Sequence, residues 1–297
     1  MTLPNFLIIG AAKGGTTSLY YYLDQHPQVY MSPVKEPRFF ALEDEDLNFC
    51  SPDELFVENS ILDFGDYCQL FEGATNEVAI GEASPLYLYS TKAPSRIKHY
   101  IPDIKLIAIL RDPVDRAYSS YMHYVREGYE QCSFAKALAV EEQRIHENWV
   151  YMWYYKRCGY YHEQIKRYLD TFDASQIKIC LYDDLKANTP LFLQDIFSFL
   201  NVDSSFVPDL SVLNASGVPK SRLLYNFLDR GNPARTMLKV LPHDLRRAIA
   251  KPLRKWNLEK PTLPPEVGND LRSVYRDDIL KLQDLIDRDL SSWLLVS

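Results

Sequence analysis

Lys13, Gly14, Gly15, Thr16, Thr17 and Ser18 follow directly on the apolar run Asn5–Gly10, a spacing that reads as strand, glycine turn and helix start. Gly14 and Gly15 let the backbone approach a ligand with no Cβ in the way. The free N–H groups at the helix start then face an anion in the positive field of the helix dipole. Thr16, Thr17 and Ser18 add hydroxyl donors. Such a loop cradles a nucleotide phosphate; the plainer alternative is a tight strand-to-helix turn. It departs from the loop of magnesium-dependent kinases, where Lys stands beside Ser or Thr after the last glycine and the hydroxyl holds Mg²⁺. Here Lys13 precedes Gly14, so the lysine reaches the ligand from the loop and magnesium has no evident protein partner.

A second group closes a second strand. Leu106–Leu110 is apolar, Arg111 ends it, and Asp112-Pro113 opens a helix, with Pro where a missing N–H costs nothing. Arg111 therefore falls at the carboxyl edge of a sheet, where open α/β folds bind ligands. With Ser119 it can clamp one phosphate through its bidentate fork. The alternative is a scaffold pair with Asp112 or Asp115. Glu36, between Lys35 and Arg38 and ahead of Phe39-Phe40, is a carboxylate that can take a proton. Burial would raise its basicity and the flanking cations would lower it, and a structural ion pair is the competing role. His123 lies one turn beyond Ser119, either as a second base or as an exposed imidazole. Lys220 and Arg222 either contact phosphate or form a solvated basic loop.

The elements that must position these groups alternate. Strands are expected at Asn5–Gly10, Val29–Met31, Val78–Gly81, Lys105–Leu110 and Ile177–Leu181. Helical patterns fall at Thr17–Gln25, Ser95–Tyr100, Asp115–Arg126, Phe134–Asn148, Tyr161–Phe172, Leu191–Leu200 and Val274–Leu290. Alternation of this kind predicts a three-layer αβα domain around a parallel sheet of about five strands, built like the P-loop NTPases and spanning residues 1–297. The acidic segment Leu42–Thr75, poor in regular pattern, reads as a surface excursion near the site. The aromatic run from Trp149 to Tyr161 packs a core or lines an acceptor pocket.

The Gly10–Leu19 stretch resembles the 5′-phosphosulfate loop of sulfotransferases that use 3′-phosphoadenosine-5′-phosphosulfate (PAPS). Leu106–Ser119 resembles their 3′-phosphate motif, Gly81–Tyr87 their Glu-x-Ser-Pro-x-Tyr stretch, and Arg288–Trp293 the tail of bacterial members. The likeness favours the heparan-type and bacterial branch. It implies Glu36 as general base, Lys13 as the cation on the leaving oxygen, and Lys220 with Arg222 as a loop over the 3′-phosphate side. Arg38 and His123 then face the acceptor. It also implies in-line transfer of a sulfuryl group, with adenosine 3′,5′-bisphosphate (PAP) as product and no metal. A sulfuryl group carries less negative charge than a phosphoryl group, so its transfer has less need of a divalent ion.

The chain departs from the heparan-type pattern at Ala83, where those enzymes carry Lys, and in having no Cys after Cys180. The stretch Phe39–Thr91 contains acids and no Lys or Arg, which would repel a highly sulfated polymer at the mouth. A glycan, lipid, small alcohol or carrier-tethered hydroxyl, or an amine, is the expected acceptor. Two readings compete: a kinase using ATP and Mg²⁺, and a non-catalytic nucleotide-binding protein. The net charge of −7 argues against nucleic acid as a partner. The basic stretch Leu245–Leu258 either touches anionic lipid or an acidic carrier domain, or is a solvated helix face. Five scattered Cys argue against a disulfide framework or a zinc site. The opening apolar run reads as a strand rather than a signal or membrane span, so the cytoplasm is the expected compartment.

Overall fold

A computed structural model describes residues 2–52, 55–210, 218–219, 258–259 and 261–295. Its sheet is β1 (Phe6–Gly10), β2 (Val29–Met31), β3 (Ala79–Ala83), β4 (Lys105–Leu110) and β5 (Ile177–Leu181), ordered β2-β3-β1-β4-β5 with every pairing parallel. Buried parallel strands are apolar on both faces, and the side chains divide by alternation. Leu7 and Ile9 of β1 join one core cluster, Phe6 and Ile8 the other. In β4, Leu106, Ala108 and Leu110 go one way and Ile107 and Ile109 the other. Burying each of the larger aliphatic side chains contributes about 1.5–3 kcal/mol.

Helices cover both faces, as a three-layer domain requires. From the amino terminus they are α1 (Thr16–Leu23), α2 (Phe39–Leu42), α3 (Leu55–Glu58), α4 (Phe64–Gln69), α5 (Leu86–Tyr89), α6 (Ala93–Tyr100) and α7 (Pro113–Glu127). Then follow α8 (Phe134–Ala139), α9 (Glu141–His146), α10 (Tyr161–Leu169), α11 (Tyr182–Ala187), α12 (Thr189–Leu200) and α13 (Pro265–Ile286). Leu19 and Leu23 of α1 pack with Leu193, Ile196 and Phe197 of α12 on one face. The other face takes α7, α10 and α13 through Val114, Ile165, Tyr168, Tyr275 and Ile279. Residues 218–219 and 258–259 form a separate two-stranded antiparallel pair. No described helix is long and apolar enough to cross a membrane.

Three expectations need correction. The single helix over 134–148 is two, because the chain turns at Val140 to bring Glu141 inside. There its carboxylate accepts the Lys156 and Arg157 N–H groups at 2.6 and 2.8 Å. The helix expected from residue 274 begins nine residues earlier, at Pro265, where proline is tolerated in a first turn. Finally, the 42–75 segment carries regular structure and is anchored rather than loose. Phe56, Tyr67 and Phe71 are buried in the larger core, and Glu43 and Glu45 pair with Arg96 at 3.8 and 2.6 Å.

Candidate active site

Because all five strands run parallel, their carboxyl ends share one edge, and the loops leaving that edge carry the predicted residues. β1 and β4 are neighbours whose next strands lie on opposite sides, the topological switch at which such sheets open a crevice. The glycine loop leaves β1 and folds onto the end of β4. Ala11 N–H donates to Ile109 O at 2.9 Å, and Gly14 N–H to Ala11 O at 2.8 Å. A Cβ on Gly14 would stand 2.3 Å from Ile109 O, so no other residue fits. Gly15 has φ 108°, in the left-handed region, and caps α1 without any side-chain hydrogen bond to the helix. The loop thus presents Lys13 and the Thr16, Thr17 and Ser18 segment beside Arg111, the residue after β4.

Arg111 lies over the Tyr182 ring at 5.1 Å and pairs with Asp115 at 3.4 Å, the scaffold contact weighed from the sequence; its buried Nε has no partner among the described residues. Asp112 is turned elsewhere. Its Oδ1 caps α7 by accepting from Val114 and Asp115 N–H at 2.8 and 3.2 Å, while its Oδ2 meets Arg272 at 3.4 Å. Ser119 sits half-buried further along the same helix.

Glu36 reaches this edge from β2. Its N–H donates to Ala83 O at 3.1 Å, and the Arg38 N–H donates to Ser84 Oγ at 3.0 Å. The loop is held on the end of β3 while Glu36 and Arg38 adopt φ of 63° and 61°. Lys13 is likewise left-handed, at φ 66°. A non-glycine residue in this region carries about 1–2 kcal/mol of backbone strain, kept in place here by the surrounding contacts.

The charge state of Glu36 is set by its two cationic neighbours. Lys35 Nζ lies 2.8 Å from Oε1 and Arg38 Nη2 3.1 Å from Oε2. Burial would raise the carboxyl, but Lys35 and Arg38 outweigh it and hold Glu36 at about 2. In this arrangement it is a paired carboxylate, the flanking cations prevailing over its burial behind Phe39 and Phe40. Lys13 moves the other way, lowered to about 8 by burial and by Arg126, with Lys35 and Arg111 adding and Glu36 opposing. Burial, followed by Lys13 and Arg126, brings His123 down to about 3, so it is a neutral imidazole. Its Nδ1 lies 2.7 Å from Arg126 Nη2, and a guanidinium only donates, so Nδ1 is the accepting nitrogen and Nε2 carries the proton. In this arrangement His123 donates rather than accepts at Nε2, which counts against it as the second base. Lys220 and Arg222 lie outside the described residues.

Sequence reasoning passed over Arg126 and Tyr182, which stand beside His123 and Arg111 without a motif of their own. The Glu-x-Ser-Pro-x-Tyr stretch was visible, but no role had been assigned within it to Ser84, which accepts from the Arg38 N–H, or to Glu82. Burial raises Glu82 to about 7, and its Oε2 has no partner among the described residues.

The arrangement fits a ligand with two anionic ends: a glycine cradle with a buried cation, and next to it an arginine with an unused N–H. A family model described as a sulfotransferase domain matches residues 3–279. The crystal structure of a sulfotransferase from Alicyclobacillus acidocaldarius superposes with TM-score 0.78 at 35% identity, covering 99% of each chain. A mouse bifunctional heparan sulfate N-deacetylase/N-sulfotransferase 4 is 28% identical over 301 residues, 98% of this chain and 31% of the relative. A human bifunctional heparan sulfate N-deacetylase/N-sulfotransferase 3 is 30% identical over 211 residues, 67% of this chain and 22% of the relative. The chain thus spans a third or less of those curated relatives. Both competing readings, kinase and non-catalytic binder, give way before these matches. The chain belongs to the sulfotransferase family.

Proposed function

We propose that this chain transfers the sulfuryl group of PAPS to an acceptor hydroxyl, with Glu36 as proton acceptor and Lys13 as the cation on the leaving oxygen. One observation carries the reading: the Lys13 loop and Arg111 stand on adjacent strand ends, joined by the Ala11–Ile109 hydrogen bond of 2.9 Å. Gly14, Gly15, Thr16, Thr17 and Ser18 hold the phosphosulfate end. Arg111 and Ser119 hold the 3′-phosphate, to which the family resemblance also assigns Lys220 and Arg222. Arg38 and His123 stand toward the acceptor. The co-substrate supplies an electrophilic sulfur; everything else is positioning and charge. The acceptor oxygen forms its bond to sulfur, the bond to the bridging oxygen breaks, and the acceptor proton passes to a Glu36 oxygen. Glu36 gains the basicity for this when Lys35 turns from it toward the incoming anion, since that ion pair holds its carboxyl low.

The test is Glu36→Gln, assayed for label transfer from radiolabelled PAPS to a panel of oligosaccharides and alcohols. Loss of about 10²–10⁴-fold in turnover is expected, the usual worth of a positioned base, with PAP affinity changed only a few-fold. Turnover within a few-fold of the native protein would remove Glu36 from the chemistry.

A further inference from the structure

A groove of about 880 Å³ has Phe56 in its wall and is linked through that residue to Glu36. Arg38 joins the two: one guanidinium nitrogen meets Glu36 at 3.1 Å, another donates to Phe56 O at 3.2 Å, and the guanidinium lies 4.5 Å from the Phe56 ring centroid. From Phe56 the wall continues in aromatic rings. Phe56 meets Tyr151 edge-on at 6.0 Å, Tyr151 stacks near-parallel to Tyr89 at 6.0 Å, and Tyr89 meets Tyr154 at 6.1 Å. The half-buried Trp149 completes this side. The Tyr89 hydroxyl has no hydrogen-bond partner among the described residues, although the residue lines the groove.

Part of the groove's charge is already paired. Four cations and five carboxylates line it, a net charge of −1. Lys92 is bound to Glu45 at 2.7 Å and Arg157 to Glu142 at 3.1 Å. Arg167 donates to the carbonyls of Leu88 and Tyr89 at 3.3 and 3.1 Å. Neither Arg167 nor Lys156 has a carboxylate partner among the described residues. Gripping a sulfated or carboxylated polymer would require breaking these contacts against like charge, and a negative wall repels a polyanion. A long alkyl chain is poorly served too, because bound apolar surface would bury those charges without hydrogen bonds. Flat aromatic faces beside a spare phenol and paired carboxylates match a ring that has apolar C–H faces and a rim of hydroxyls.

We propose that this groove is the acceptor site and that it takes an uncharged saccharide bearing free hydroxyls, not a polyanionic one. The proposal rests on the sulfuryl-transfer reading and adds the acceptor class to it. Tyr89 is a specificity residue in this account, outside the transfer machinery.

Three probe classes, with PAP bound, separate the outcomes: neutral trisaccharides (cellotriose, maltotriose and chitotriose), a heparin hexasaccharide, and dodecanol. Tryptophan fluorescence reports binding through Trp149, and label transfer from PAPS reports use. At least one neutral trisaccharide should saturate the signal and accept label. Tyr89→Ala should weaken that binding about tenfold, the scale of one aromatic contact. Tyr89→Phe, which keeps the ring and fold but removes the phenol, should fall between. PAP affinity should be the same in all three proteins. Tighter saturation by the heparin fragment, saturation by dodecanol alone, or no response to any trisaccharide while PAP still binds would each overturn the groove assignment. Trisaccharide binding unaltered in both Tyr89 variants would overturn it as well. Failure of PAP itself to bind the native protein would strike the transfer reading instead.

Discussion

Replacing Lys13 with Met should inactivate the enzyme and make it more heat-stable at neutral pH. Burial and the neighbouring cations bring Lys13 from 10.5 to about 8. At 1.36 kcal/mol per pKa unit, the folded protein therefore carries about 3 kcal/mol of unfavourable charge there below pH 8. The sign follows from linkage: between pH 8 and 10.5 the unfolded chain holds the proton that the folded one has released, so native stability rises with pH across that window. The penalty is complete below pH 8 and has fallen by about 2 kcal/mol at pH 9.5. With an unfolding entropy of about 2.1 cal/mol/K per residue, 297 residues convert 3 kcal/mol into about 5 °C. Lys13→Met should thus melt about 5 °C above the native protein at pH 7, with that advantage more than halved at pH 9.5. The assay is paired thermal denaturation of both proteins at the two pH values, with and without PAP. Adding PAP should reverse the order at pH 7, because the variant has lost the cation at the glycine-loop end of the nucleotide. Lys13→Met melting lower than native at pH 7, or an advantage equal at both pH values, would refute the assignment of Lys13 as a destabilised, ligand-directed cation.

Arg111→Ala should weaken PAP about 10–100-fold in calorimetric titration, the worth of a hydrogen bond to a charged group. Adenosine 5′-phosphosulfate, which lacks the 3′-phosphate, should bind both proteins alike; an equal loss for both ligands would mean that Arg111 does not hold that phosphate. Gly14→Ala places a methyl 2.3 Å from Ile109 O and should shift the loop off β4. PAP should then give no thermal shift, while unfolding costs about 1–3 kcal/mol less than native, as overpacked interiors do. An unchanged PAP response would show that the loop does not cradle the nucleotide.

The strands were readable because a parallel strand buried on both faces leaves a continuous apolar run. β2, β4 and β5 begin and end where expected, and β1 and β3 differ by one or two residues. The glycine loop and Arg111 were readable for a related reason, since each is fixed by the strand end before it. The early turns of α13 were hidden by Pro264, Pro265 and Gly268, residues that normally punctuate loops; Gly268 is present because a Cβ would stand 2.9 Å from Leu263 Cδ2. The break at Val140 depends on Glu141 seeking N–H groups some fifteen residues away, which no local pattern records. The backbone at Lys13, Glu36 and Arg38 was equally opaque, because none of these residue types favours the left-handed region. Their conformation comes from Ala83, Ser84 and the strand ends around them. The groove was half visible as an aromatic run. Its charge pairing was not, because the contact of Lys92 with Glu45 joins residues 47 positions apart.

Arg272 links the helix-capping Asp112 to the Trp293 carbonyl at 2.8 Å, across 160 positions of chain on one side and 21 on the other. Trp293 Nε1 in turn donates to Asp183 at 3.2 Å, beside Tyr182, the ring under Arg111. During synthesis on the ribosome, the phosphate-binding loops emerge long before these last braces. A nascent chain halted ahead of residue 272 would hold every nucleotide-contacting motif yet lack the clamp on α7. The seat of Arg111 is therefore completed by side chains distant from it in sequence.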